Sequence, residues 1–330
     1  MRIFVFTTVF APKIGGIERR TETLAREWTG MGHEVLVATT TPGPEDAFPF
    51  PVIRSGSLAT FCKWARWCDV HLQLNVSLKY TPKAILAGAP TVVISHAGDY
   101  EGPYAKIKHL LASRIRGIAC SDYIRGRVPN SVTIRNCYDD STFQSNAAWN
   151  ERPCDLAFLG RLVSDKGCET LIEALGLLTA RGVRPTVTVI GDGEDRSKLE
   201  ALVQRSDLAN RVCFTGALAP PAVADLLNEH RFLVVPSRWE EPFGIVALEG
   251  LGCGCVPIVS RCGGLIEAIG PHGYSYENGD NQELARVLEH VLSNADEAQG
   301  KLQGVDRHLA KFSARTVAQR YIEFFEQSRR

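Results

Sequence analysis

No stretch of 18 consecutive apolar residues occurs in the 330-residue sequence, which removes a membrane-spanning helix from consideration. The chain has no net charge either. Its 37 lysines and arginines stand against 37 aspartates and glutamates, so no global field draws it to nucleic acid or to anionic lipid. Ten cysteines are present but no C-x-x-C pair, and this spacing offers no zinc or disulfide framework. Cys120 and Cys213 lie in apolar surroundings and read as small buried hydrophobes in a reducing compartment. Cys253 and Cys255 read as packing residues in a glycine-rich segment. Gly-x-Gly-x-x-Gly is missing, which argues against an NAD-dependent oxidoreductase. The first residues, MRIFVFTT, begin a strand at once rather than a leader peptide. A cytoplasmic protein, peripheral to a membrane at most, is the expectation.

What is present is a regular alternation. Apolar runs at Arg2–Thr7, Glu34–Thr39, Asp69–Leu74, Thr91–Ser95, Gly117–Cys120 and Ser131–Arg135 suit parallel strands covered on both faces. Helical patterns separate them, the first over Ile17–Met31 with Leu24, Trp28 and Met31 on one side. A polar segment without periodicity follows, and the linker is placed at 146–153. The alternation then restarts with runs at Cys154–Gly160, Thr186–Ile190, Arg211–Thr215, Phe232–Pro236 and Val256–Ser260. Repeated β-α-β units imply two Rossmann-like, doubly wound parallel-sheet domains of an α/β protein, over 1–145 and 154–312. They are expected to face a cleft. A last helix with an apolar stripe covers 313–330. Ligands of such sheets bind at the carboxyl ends of strands, so the loops there are the places to look for chemistry.

Four loops stand out. Gly15-Gly16, after the first strand and before a helix, allows close backbone approach to an anion; a turn without a ligand fits equally well. Arg161 and Lys166, in the loop after Gly160, are two cations able to clamp a diphosphate, or two solvated surface charges. The segment Trp239-Glu-Glu-Pro-Phe-Gly-Ile-Val-Ala-Leu-Glu249 is the sharpest. Glu241 falls in a loop and Glu249 one to two turns into an apolar helix. Carboxylates so placed accept hydrogen bonds from vicinal sugar hydroxyls, and the helix amides can face phosphate. His96 ends a strand, with small residues Ala97 and Gly98 after it to leave room beside the ring. A structural histidine is the alternative.

Together these segments resemble the family-4 retaining glycosyltransferases, which have the GT-B fold. The resemblance runs through Pro12-Lys-Ile-Gly-Gly-Ile-Glu18, Gly32-His-Glu-Val-Leu-Val37, Ser95-His96, Asn136, Gly160-Arg161 with Lys166-Gly167, Val189–Gly193, Val212–Gly216, Pro236-Ser237 and Glu241 to Glu249. It implies a retaining, metal-independent hexosyltransferase of polysaccharide biosynthesis. The donor would be a nucleotide sugar, UDP-glucose or a UDP-N-acetylhexosamine first. The acceptor would be a glycan, a lipid-linked sugar or a small molecule. The resemblance assigns roles. Gly15, Gly16, Arg161 and Lys166 would hold the donor diphosphate. Glu241, Phe243, Gly244 and Ile245 would hold the transferred sugar, and Glu249 the ribose. Leu218 would meet the base, and His96, with Glu241, would act at the reacting centre. The last helix would cross back onto the first domain. Asn136 precedes Cys137 where the family often has glycine, and the first domain is short for the family, which leaves the acceptor site open. No Asp-x-Asp triplet occurs, so no metal is expected and no cofactor beyond the donor. An epimerase or phosphorylase on the same fold, or a sugar-nucleotide-binding partner subunit, are the rivals. No nucleic acid is expected as a partner. Tyr104 to Arg116 reads as a basic amphipathic helix with Ile107, Leu110, Leu111 and Ile115 on one side. That side either packs on the sheet or lies peripherally on an anionic membrane surface.

Overall fold

The computed structural model describes residues 1–13, 15–44, 47–54, 57–98 and 100–329. Ile14, inside the first glycine loop, therefore lies outside the described residues. The chain forms two compact units: residues 1–137 with 311–330, and residues 138–310.

The first unit is built on seven parallel strands: β1 (Arg2–Thr7), β2 (Glu34–Thr39), β3 (Val52–Ile53), β4 (Val70–Leu74), β5 (Val92–His96), β6 (Gly117–Ala119) and β7 (Ser131–Thr133). Their order is β3-β2-β1-β4-β5-β6-β7, with the reversal of direction between β1 and β4. Near-complete burial of β1, β2 and β4 explains their unbroken apolar sequence. One face packs Leu24, Trp28, Val317 and Phe325; the other packs Phe61, Ala65, Tyr80 and Ala84. The final helix, Ala314–Ser328, belongs to this unit although 173 residues of the other unit precede it. Trp28 is buried against it, with its indole N–H donating to the Ala318 carbonyl at 3.1 Å and its ring against Tyr321 and Phe325. Aromatic pairs of this kind add about 0.5–1.5 kcal/mol each beyond burial.

The second unit carries six parallel strands: β8 (Cys154–Leu159), β9 (Val187–Ile190), β10 (Val212–Gly216), β11 (His230–Val235), β12 (Val256–Ser260) and β13 (Tyr274–Tyr276), in the order β10-β9-β8-β11-β12-β13. Sequence periodicity missed β3 and β13. Both are edge strands of two or three residues, too short to show a period.

Two expectations are corrected by packing. The division between units falls after Cys137, ahead of the expected linker. Trp149 is buried against Phe232, and the Arg152 guanidinium donates to the carbonyls of His230 and Cys253 at 2.8 and 2.7 Å. Residues 146–153 are thus tied to the second unit rather than slung between two. Cys213, expected inside, is exposed on β10. None of the ten cysteines forms a disulfide.

Candidate functional site

In the second unit, two loops leave the same edge of the sheet because β8 and β11 run parallel and pair directly. The loop after β8 holds Arg161 and Lys166 and ends at Gly167. That residue has φ 68°, a left-handed conformation that starts the helix Cys168–Ala180. A side chain at Gly167 would overlap the carbonyl oxygen of Pro236, so glycine is what lets the two loops touch. The loop after β11 runs from Pro236 to Gly244. It is stitched to the first: the N–H groups of Arg238 and Trp239 both donate to the Asp165 carbonyl, at 2.9 and 3.1 Å. Gly244, at φ 105°, caps the helix Ile245–Gly252, and its Cα faces Leu265.

This stitching brings together residues 75 positions apart. The Lys166 ammonium donates to Oε1 of Glu241 at 2.5 Å, and the Ser237 hydroxyl donates to the same oxygen at 2.8 Å. Ser237 is itself pinned, because its carbonyl accepts from the Ser260 hydroxyl at the end of β12 at 2.6 Å. Both charged side chains are about four-fifths buried, with 22% and 17% of their area exposed. A charge-assisted pair at this depth is held firmly yet remains within reach of a ligand. Arg161 stands exposed at the start of the same loop. Phe243 is buried beneath the turn, and Ile245 is half-buried at the first position of the helix. Glu249 is 4% exposed, the one carboxylate in an otherwise apolar helix. Leu218 follows β10, half-buried. With strands about 4.8 Å apart, its loop lies about 14 Å along the sheet edge from that of β11, with the Arg161–Lys166 loop between them.

In the first unit, Gly15 caps the helix Gly16–Gly30 without a side-chain hydrogen bond, and Gly16 is exposed. The Glu18 carboxylate folds over Gly15, where a β-carbon would meet its Oε2 at 2.6 Å. An acidic group at a helix N-terminus is favoured by the amide dipoles, and here the chain supplies its own. His96 is the last residue of β5 and is fully buried. The space expected beside its ring is filled by β6: a β-carbon on Gly117 would meet Nε2 at 2.5 Å. Nδ1 shares a 2.5 Å hydrogen bond with the Tyr100 hydroxyl, and Nε2 has no partner among the described residues. Burial, with a smaller contribution from His109, depresses its pKa to about 4, so the ring is neutral at pH 7. Asn136 is 9% exposed and accepts from the buried Arg20 guanidinium at 2.8 Å.

Sequence reasoning did not single out Ser237 as Glu241's anchor, nor Ser260, Arg20 or Tyr100. For Ser260 and Arg20 no local signal exists, since each partner lies 23 or more residues away. Ser237 and Tyr100 each stand four residues from their partners, a spacing that carries meaning only once the loop conformation is known.

Two doubly wound parallel units, one with a cation–carboxylate pair at its strand ends, define a class of α/β proteins whose ligands bind at that edge. Comparison with known proteins makes the class specific. Residues 139–303, half of the chain, match the family described as glycosyl transferases group 1. The chain belongs to that family and is a glycosyltransferase. Glycogen synthase of Mycobacterium tuberculosis is 25% identical over 385 aligned positions, covering 96% of this chain and 92% of that protein. A glycosyltransferase from Rickettsia africae superposes with a TM-score of 0.83 at 17% identity, over 99% of this chain and 98% of that one. The Anabaena protein HepE, solved with UDP and glucose, superposes at 0.79 with 20% identity, over 98% and 99%. The fold is GT-B.

Proposed function

We propose that this glycosyltransferase moves a hexose from a nucleotide sugar to a glycan, glycolipid or small-molecule acceptor, with retention at the anomeric carbon and without a metal ion. The single observation that carries the reading is the Lys166–Glu241–Ser237 cluster, with the exposed Arg161 in the same loop as Lys166. It sets a cation for a diphosphate beside a carboxylate for sugar hydroxyls. Order along the sheet edge supports it, since Leu218, the Arg161–Lys166 loop and Glu241 succeed one another as base, diphosphate and sugar do in the donor. UDP is the first nucleotide to test because the similar Anabaena structure holds UDP and glucose. Likeness to a glycogen synthase makes a hexose donor and a glycan acceptor the first choices.

In this reading Arg161 and Lys166 neutralise the diphosphate, and Glu241 accepts hydrogen bonds from the sugar. Backbone groups of Phe243, Gly244 and Ile245 approach the sugar, and Glu249 accepts from the ribose hydroxyls. Gly15 and Gly16 offer backbone amides to the phosphates once Glu18 withdraws. The bond from the anomeric carbon to the phosphate oxygen breaks as the acceptor oxygen bonds on the same face. The acceptor proton passes to the leaving phosphate oxygen. His96 is neutral and rigid; its ring is sealed within the sheet, so its backbone carbonyl at the end of β5 is the group left to stabilise positive charge at the anomeric carbon. Absence of disulfides fits a cytoplasmic, reducing setting.

A thermal-shift series over UDP-glucose, UDP-N-acetylglucosamine, GDP-mannose and ADP-glucose tests the reading. A bound donor at a hundred times its Kd raises stability by about 2.7 kcal/mol. Donor hydrolysis is expected to survive EDTA, and product NMR to show the donor's anomeric configuration. No shift with any donor, or activity restored only by Mg²⁺ or Mn²⁺, refutes the corresponding part.

A further inference from the structure

Large apolar side chains are rarely exposed in this protein, and the exceptions are clustered. Of the nine among the described residues, six lie between positions 78 and 110: Leu78, Ile85, Leu86, Tyr104, Ile107 and Leu110. Leu86 is 84% exposed, and Tyr104, Ile107 and Leu110 are each more than half exposed. Scattered exposed leucines need no explanation, but a contiguous set does.

Topology places these residues on neighbouring connections of the sheet. The helix Thr81–Leu86 joins β4 to β5, and the helix Ala105–Ala112 joins β5 to β6. These strands are neighbours in the sheet, and right-handed crossovers place both helices on the same face, side by side. Tyr104, Ile107 and Leu110 recur every three residues and so share one side of the second helix. The sequence allowed that side to pack on the sheet. Instead the helix ends at Ala112, its one fully buried residue, while Ile115 is buried beyond it and Ile107 and Leu110 point to solvent.

The charge along this segment is mainly positive, although Arg116 turns away to the Gln327 carbonyl. Residues 78–116 contain six lysines and arginines against two acids, in a chain whose total is balanced. Lys79 and Lys106 are exposed, and Lys83 and Lys108 are half-buried. We propose that this face docks the protein on an anionic phospholipid surface, with the two short helices lying in the headgroup layer. Apolar side chains rimmed by lysines match a bilayer whose surface is negative and whose interior is apolar. A second copy is disfavoured, because two such faces would bring lysine against lysine. Among the described residues no helix is long and apolar enough to cross a membrane, so the attachment is peripheral. The inference is independent of the donor-site reading, since it uses none of that site's residues.

Vesicle co-sedimentation of the full chain tests it, comparing phosphatidylcholine alone with a mixture one-third phosphatidylglycerol. Binding is expected to the anionic vesicles at low salt, to fall at high salt, and to be weak on neutral vesicles. Ile107→Asp with Leu110→Asp abolishes it, and Leu86→Asp, on the other helix, weakens it. Each lysine near the surface is worth about a five-fold change in partition, so Lys106→Glu with Lys108→Glu lowers binding by at least about 30-fold. Leu86, Lys106, Ile107 and Leu110 are exposed, so circular dichroism and the thermal midpoint stay at wild-type values for their variants, and Lys106→Glu alone serves as the control for half-buried Lys108, which lies over the Tyr100 ring. Absence of binding at low salt overturns the proposal, as does equal binding to both vesicles or insensitivity to charge reversal. A dimer in sedimentation that the Ile107→Asp, Leu110→Asp variant converts to monomer overturns it in favour of a second copy.

Discussion

Gly167→Ala tests whether the joint between the β8 and β11 loops is what makes the site. At φ 68° an alanine pays about 1–2 kcal/mol in left-handed backbone strain alone. Its methyl group also overlaps the Pro236 carbonyl oxygen, and backbone on both sides of the contact cannot swing away as a side chain would. The loops therefore part by on the order of 1 Å, a displacement that costs a positioned group roughly 10²-fold. Lys166, next in the chain, loses its 2.5 Å contact with Glu241, and that carboxylate keeps its bond from Ser237. Stability falls by about 2–4 kcal/mol, within the 5–15 kcal/mol of an ordinary domain, so the variant remains folded. The assay is kcat/KM for donor hydrolysis with the thermal midpoint measured beside it. A folded Gly167→Ala protein with kcat/KM within a few-fold of wild type would refute the claim that this contact positions the donor groups.

Removing either cation should weaken donor binding by about 1.5–3 kcal/mol, measured by calorimetry; the thermal midpoint changes little in Arg161→Ala, whose side chain is exposed, but falls in Lys166→Ala, which leaves the Glu241 carboxylate without its buried cation. Normal donor affinity in both variants sinks the diphosphate assignment. His96→Ala keeps the backbone carbonyl but empties a fully buried site, so it should lower stability by roughly 2–5 kcal/mol with donor affinity nearly unchanged, and a folded variant whose turnover falls about 10²-fold or more would show that the ring itself acts in the reaction. Burial depresses both His71 and His96 to about 4 from an unfolded value of 6.5. Between those values the unfolded chain binds protons that the native chain refuses, so stability is lost as pH falls. Each histidine should withdraw about 2 kcal/mol between pH 7 and pH 5. Thermal midpoints of wild type and His71→Leu across that range check this; identical pH slopes would show that His71 does not titrate as its burial requires.

Much of this protein was legible as a string of residues. Long parallel strands such as Glu34–Thr39 are buried on both faces and so announce themselves as unbroken apolar runs. Helices of three or more turns do so by their stripe, as Gly16–Gly30 and Ala314–Ser328 show. The loops that carry Arg161, Lys166, Glu241 and Glu249 could be found because glycine and proline punctuate them at strand ends. Tertiary structure alone decided which of these groups meet. Lys166 reaches Glu241 because β8 and β11 are neighbours, and strand order is set by how strands and helices pack across the whole sheet rather than by any local preference. The same holds for His96, whose ring is sealed by a glycine on the next strand, and for residues 146–153, whose polar sequence concealed the anchoring of Trp149 and Arg152. It holds most plainly for Ile107 and Leu110. Periodicity says which residues share a side of a helix, but which side turns to the sheet depends on where the helix ends and what the sheet beneath it has room to bury.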